Sequence, residues 1–241
     1  MRFLIGLDDT DSNDSIGTGA LARELCARLE RDLGVVPRGI TRHQLLVHPD
    51  IPYTSHNSSA CIDVDFGRER DVLAAVCRDF VLALFHPGAD PGLCIGSAEV
   101  FAGAPLAEFG RRAQREVVRR EQAEALGRAH GVLLEPLGGS GLGVVGALAG
   151  CALRATADDG RFIALPGARQ ISGAIKVGAL LSRLRIDAVV DATGKALAPD
   201  ETLDTQGWVR PELRGGRVLL PVERNANGWS VVRKKPGEGD I

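Results

Sequence analysis

The chain opens with a short apolar run, Arg2-Phe3-Leu4-Ile5-Gly6-Leu7, that stops at Asp8-Asp9-Thr10-Asp11-Ser12, and Gly17-Thr18-Gly19 then begins a helical pattern. Leu21, Leu25, Leu29 and Leu33 recur every fourth residue and form one apolar stripe, with Arg23, Glu24, Arg28 and Glu30 on the opposite side. Gly34 follows where a left-handed glycine ends helices. A buried strand, a polar loop and an amphipathic helix are therefore expected in that order. Such a strand must sit in a sheet with the helix laid over it, which makes the chain a mixed α/β protein (α/β or α+β).

The loop between strand and helix carries the chemistry. Asp8, Asp9 and Asp11 place three carboxylates within four residues, and they repel one another unless a cation lies among them. Mg²⁺ suits such a site, because it takes oxygen ligands and keeps positions for phosphate oxygens. The N-terminus of the following helix, with Thr18 between Gly17 and Gly19, offers N–H groups and a dipole to an anion. Metal-holding carboxylates facing a helix start form a site for a nucleoside triphosphate such as ATP, with Thr10 and Ser12 beside it. The simpler alternative is a solvated turn with Thr18 as a capping hydroxyl.

Further along, residues 39–47 read as a strand, broken by His48-Pro49-Asp50-Ile51-Pro52. Residues 60–66 alternate, so Ile62, Val64 and Phe66 are expected to face a core while Asp63 and Asp65 face outward. Helices are expected over 69–85 and 105–129. The pattern then restarts with a strand at 132–137, a glycine loop at 138–143 and a short helix at 144–151. Strands around 153–155 and 161–165, a helix within 170–184 and a strand at 187–190 complete it. That order, β-α-β-β-α-β, is ferredoxin-like. Three parts are thus expected: residues 1–129, a ferredoxin-like domain over 130–200, and a β-rich C-terminal part over 201–241 with a hairpin turn at Gly215-Gly216.

Composition removes several function classes. Lys plus Arg (29) nearly balance Asp plus Glu (31), leaving a net charge of −2, so bulk charge does not make the chain a nucleic-acid binder. The opening apolar run is too short for a signal peptide, and no stretch approaches the length of a membrane span. The five cysteines, at 26, 61, 77, 94 and 151, show neither zinc spacing nor a disulfide framework. A cytoplasmic protein is expected, with no membrane partner.

The residues of the first loop also carry a family resemblance. Leu4-Ile5-Gly6-Leu7-Asp8-Asp9-Thr10-Asp11-Ser12 resembles the GIDDTDS opening of the archaeal agmatidine synthetases (TiaS), which modify a minor isoleucine tRNA. The first Thr of that family's CTTYL segment falls on Thr18. His48-Pro49-Asp50-Ile51-Pro52-Tyr53 is similar to the family's NPNIPW, and residues 141–149 are similar to its GRGLIGALA. The resemblance implies an ATP-dependent kinase-like first domain and a ferredoxin-like second. Together these phosphorylate the 2-keto oxygen of a tRNA cytosine, and the amine of agmatine then displaces the phosphate. It also implies that Asp8, Asp9 and Asp11 hold Mg²⁺ and the ATP phosphates, and that Thr18 accepts a phosphoryl group; such chemistry needs positioning and charge neutralisation above all. The family's KTRGNGA stretch becomes Thr54-Ser55-His56-Asn57-Ser58-Ser59-Ala60 here, so Thr54 replaces its Lys and His56 its Arg. Residues 54–59 are expected to line the nucleotide with hydroxyl, amide and imidazole donors in place of fixed charge. The family's oligonucleotide-binding domain and zinc ribbon are not expected in these residues, so the acceptor is either RNA or a small molecule. The loss of the two cations also admits a protein that binds a nucleotide or metabolite without catalysis.

Other signals are weaker. Gly141-x-Gly143-x-x-Gly146 matches a dinucleotide fingerprint but lacks the surrounding βαβ pair, so Gly141 and Gly143 are assigned to a helix start contributing to the nucleotide cleft. Asp9-Thr10-Asp11 resembles the loop of haloacid-dehalogenase-like phosphatases, but Asn13 breaks that motif. Arg111, Arg112, Arg115, Arg119 and Arg120, interspersed with Glu116, Glu121 and Glu124, read as a solvated helix face in preference to a phosphate ridge. Asp158, Asp159, Asp187 and Asp191 are candidate partners for an amine, or exposed turn acids.

Overall fold

The apolar N-terminal run forms β1 (Arg2–Asp8), and the leucine stripe forms α1 (Thr18–Leu33), which ends at Gly34 with φ 69°. The computed structural model describes residues 1–10, 17–51, 57–86 and 88–233. Leu21, Leu25 and Leu29 are buried, each contributing about 1.5–3 kcal/mol. The chain divides into two units, Met1–Thr156 and Ala157–Ile241.

The first unit continues with β2 (Val36–Gln44), β3 (Ser58–Asp65), α2 (Arg70–Leu84) and β4 (Gly92–Ser97). The helices α3 (Ala98–Phe101), α4 (Ala104–Ala113) and α5 (Arg120–Ala129), strand β5 (Leu133–Pro136) and helix α6 (Gly143–Thr156) complete it. Its strands are antiparallel in the spatial order β5-β4-β1-β3-β2. Helices α1 and α2 pack on one face; α6 packs on the other, with α4 and α5 outside it.

Three expectations are corrected here. The β-α-β-β-α-β order assigned to 130–200 lies in β1-α1-β2-β3-α2-β4, and the division falls after Thr156, not at 129/130, because β5 pairs with β4 and α6 covers the same sheet. The strand expected at 153–155 is the end of α6. The single helix expected over 105–129 is broken between α4 and α5.

Asp63 is a fourth correction. The alternation of β3 holds, but α6 covers the face expected to be solvated, so Asp63 is buried. It accepts from Arg2 Nε and Nη2 at 2.9 and 2.8 Å and from Arg154 Nη2 at 2.6 Å, with Arg38 Nε 3.7 Å away. Hydrogen bonding to Asp63 raises Arg2 above its ordinary value. Burial lowers Arg154, against the attraction of the same carboxylate.

Helix α6 lies close to the sheet because small residues face it. A methyl at Gly143 would overlap the backbone of Gly92, and one at Gly146 would overlap the Asp8 carboxylate.

The second unit contains β6 (Arg161–Ala164), β7 (Ala174–Lys176), α7 (Val177–Arg183), β8 (Ala188–Val190), β9 (Thr202–Asp204), β10 (Glu212–Arg214), β11 (Arg217–Asn225) and β12 (Gly228–Val231). The long β11 pairs antiparallel with β10 and β12 and parallel with β8. Gly215 and Gly216, both at positive φ, make the β10–β11 hairpin as expected. Phe162, Val177, Leu180, Val189, Leu203, Leu220 and Val222 form its core. Among the described residues no helix is long and apolar enough to cross a membrane.

Candidate functional site

β1 ends at the mouth of a cavity of about 450 Å³ that lies wholly within the first unit. Asp8, Asp9 and Thr18 line one side, and Ser140, Leu142, Gly143, Val145 and Gly146, from the glycine loop and the start of α6, line another. Leu45, Asp50, Ile51 and Asn57 come from the β2–β3 connection and Ser58 from the start of β3. Residues 113–121, where α4 gives way to α5, close the rim.

Local geometry fixes the acidic end. Asp9 has φ 48°, a left-handed conformation uncommon outside glycine but one that Asp and Asn adopt more readily than most. The backbone holds it there: Asp90 N–H donates to the Asp9 carbonyl at 3.1 Å, and His86 N–H to the Thr10 carbonyl at 3.2 Å. Thr10 is buried, and its hydroxyl donates to the Thr18 hydroxyl at 3.0 Å, so Thr10 serves the site from behind. Thr18 stands in the first turn of α1, which holds no acidic residue and carries the positive end of the helix dipole. Gly17 caps this helix with φ 81°; neither it nor Gly19 lines the cavity among the described residues. Asp11, Ser12, Thr54, Ser55 and His56 lie outside the described residues.

Of the second predicted loop, Asn57 and Ser58 reach the cavity and Ser59 does not. Asn57 is pinned to β2, its carbonyl accepting from Leu45 N–H at 2.9 Å and from Gln44 Nε2 at 2.8 Å. Arg42 Nε donates to the Ser58 hydroxyl at 2.7 Å. Ser59 is buried against α6 and donates to the Leu7 carbonyl at 3.2 Å.

The glycine loop differs from the expectation. The Asp90 carboxylate accepts from Gly141 N–H, from Leu142 N–H at 3.1 Å and from the Ser140 hydroxyl. The donors that would cradle a phosphate at Gly141 are thus already taken by a carboxylate of the protein. Gly143 does line the cavity, as the first residue of α6.

The arginine run departs in part from the solvated face expected of it. Arg111 and Arg112 are solvated, paired with Glu108 and Glu116. Arg119 and Arg120 line the cavity. Arg120 Nε donates to Glu124 at 2.6 Å and its Nη1 to the Ser140 carbonyl at 2.6 Å, tying α5 to the glycine loop. Glu116 and Glu121, expected on the same solvated face, and Asp50 line this cavity too. The segment is not one helix, and the sequence signals that break only through the β-branched Val117-Val118 pair.

Three of the four acids considered for an amine, Asp158, Asp187 and Asp191, serve turns of the second unit. Asp158 accepts from Gly215 N–H, and Asp187 from Val218 N–H at 2.7 Å. Asp191 is held below the usual carboxylate range by the Thr193 hydroxyl and by the Thr193 and Lys195 N–H groups.

Asp8 and Asp9 both line the cavity, and their carboxylates are hard oxygen ligands of the kind that Mg²⁺ takes. Among the described residues no group of three ligating side chains is assembled.

No protein-family model and no curated protein matches the chain. Solved structures do. A tRNA fluorescent labelling enzyme is 26% identical with a TM-score of 0.56, covering 63% of this chain and 36% of that one. TiaS in complex with an isoleucine tRNA and ATP is 26% identical with a TM-score of 0.54, over 63% and 36%. TiaS in complex with the same tRNA, AMPCPP and agmatine is 25% identical with a TM-score of 0.54, over 63% and 36%. The chain has a TiaS-like mixed α/β fold, and spans about a third of the length of the structures it matches.

Proposed function

We propose that this chain is a Mg²⁺- and ATP-dependent phosphoryl-transfer enzyme of the agmatidine-synthetase type, acting from the cavity of its first unit. The observation that carries this reading is the convergence of Asp8, Asp9 and Thr18 on one cavity at a strand end and a helix start. Likeness to structures that bind ATP, an isoleucine tRNA and agmatine supports it.

In this reading Asp8 and Asp9, with Asp11, hold the metal, which neutralises phosphate charge when bound. The positive end of α1 faces the transferring group. The Thr18 hydroxyl attacks the terminal phosphorus, the bond to the bridging oxygen breaks, and ADP departs while the hydroxyl proton passes to a neighbouring carboxylate. Asn57 and Ser58 position the nucleotide. Asp50, Glu116 and Glu121 give the rim the negative charge that would attract a cationic amine. The acceptor is an RNA nucleotide or a small molecule carrying a comparable oxygen.

The test is ATP turnover with Mg²⁺, with and without transfer RNA and agmatine, in the wild type and in Asp9→Asn. Mass spectrometry looks for phosphate on Thr18. Turnover lost in the variant and a phosphorylated Thr18 are expected; equal turnover in both proteins removes the mechanism.

A second reading, a nucleotide- or metabolite-binding protein without catalysis, is favoured by Thr54 and His56 in place of two cations and by Asp90 occupying the glycine loop. Calorimetric binding of Mg-ATP with no hydrolysis over hours would select it.

A further inference from the structure

We propose that Arg119 is the cation that meets the polyphosphate in this cavity, an assignment that rests on the nucleotide reading above. The cavity is lined by five carboxylates, Asp8, Asp9, Asp50, Glu116 and Glu121, and by two guanidinium groups among the described residues. A polyphosphate entering so acidic a site needs positive charge beyond a metal ion. Arg120 is committed to Glu124 and to the Ser140 carbonyl. Arg119 is exposed, and among the described residues its guanidinium forms no ion pair.

Its backbone is nonetheless fixed. Val118 is buried in the core beneath the cavity. Arg119 N–H donates to the Gln122 side chain at 3.0 Å, and the Arg119 carbonyl accepts from Gln122 and Ala123 N–H. The chain before it is anchored where Leu46 N–H donates to the Ala113 carbonyl at 3.0 Å. Only the side chain is left to move, on a base that aims it along the rim. Arg119 at the start of α5 also opposes the positive end of that helix, a local cost that no ion pair among the described residues offsets. Arg119 thereby supplies, from another part of the chain, fixed charge of the kind missing at Thr54 and His56.

The experiment measures binding of Mg-ATP, adenosine and tripolyphosphate to the wild type, Arg119→Ala, Arg119→Lys and the control Arg111→Ala, each with its melting temperature. Arg119→Ala should weaken ATP and tripolyphosphate by about tenfold or more, as loss of a charge-assisted pair does. It should leave adenosine binding and the melting temperature unchanged. Arg119→Lys should recover most of the loss, and Arg111→Ala should match the wild type. Unchanged ATP and tripolyphosphate affinity in Arg119→Ala overturns the assignment and spares the nucleotide reading; so does an equal loss for adenosine, which would make the role structural. Arg119-dependent binding of tripolyphosphate without binding of ATP overturns the nucleotide reading and spares the assignment. A wild type that binds neither overturns both.

Discussion

Asp8 and Asp63 lie on the same face of one sheet, under the same helix, toward its two ends. Around Asp63 the chain has gathered Arg2 and Arg154 within hydrogen-bonding distance and Arg38 just beyond. Opposite Asp8 stands Gly146, whose lack of a side chain leaves room for the carboxylate, and Asp8 also lines the cavity. A buried carboxylate that braces a fold must be neutralised by the protein, because an uncompensated charge costs several kcal/mol. The proposed function gives Asp8 a different task, at the edge of the cavity.

Four substitutions or conditions would break or sharpen this contrast. Asp63→Ala leaves Arg154 buried without its carboxylate and should destabilise the protein by about 3–5 kcal/mol, read by urea unfolding. Asp9→Asn should do the reverse. It should cost about a hundredfold or more in ATP turnover while moving unfolding by less than about 0.5 kcal/mol, since Asn tolerates the same positive φ. Gly146→Ala pushes a methyl into the Asp8 carboxylate, and about 1–3 kcal/mol of overpacking should accompany a fall in turnover, checked by calorimetry and assay together. The smallest effect concerns a thiol remote from both carboxylates. Burial pushes Cys26 up to about 11 from an ordinary 9.0. The unfolded chain then loses this proton first, so stability should fall as pH rises from about 9 to about 11, and Cys26→Ala should flatten the fall.

The same contrast shows what the sequence can reveal. β1 and α1 are readable nearly residue by residue, because an apolar run, a fourfold leucine spacing and a terminal glycine are local signals. That Asp8, Asp9 and Thr18 reach one cavity is suggested by their closeness in the sequence. Asp63 misleads because alternation tells which residues share a face and not whether a distant helix covers it. β4, Gly-Leu-Cys-Ile-Gly-Ser, has little of the β-branched composition that marks strands, and so escapes a reading by pattern. The later unit boundary depends on contacts with β4 and β1 that no local window contains, and the break between α4 and α5 has only the Val117-Val118 pair to mark it. For the same reason Arg119 and Arg120 read as a solvated face until the break turns them toward the cavity.

The near-touching backbones of α6 and the sheet carry a consequence for how this molecule can change. Where main chain rests on main chain, no larger side chain can be introduced without lifting the helix, so the floor that seats Asp8 is closed to gradual variation. Asp50, Glu116, Arg119 and Glu121 line the same cavity with side chains that are exposed or partly exposed. Change in the shape of the cavity is open there, in the walls and not the floor.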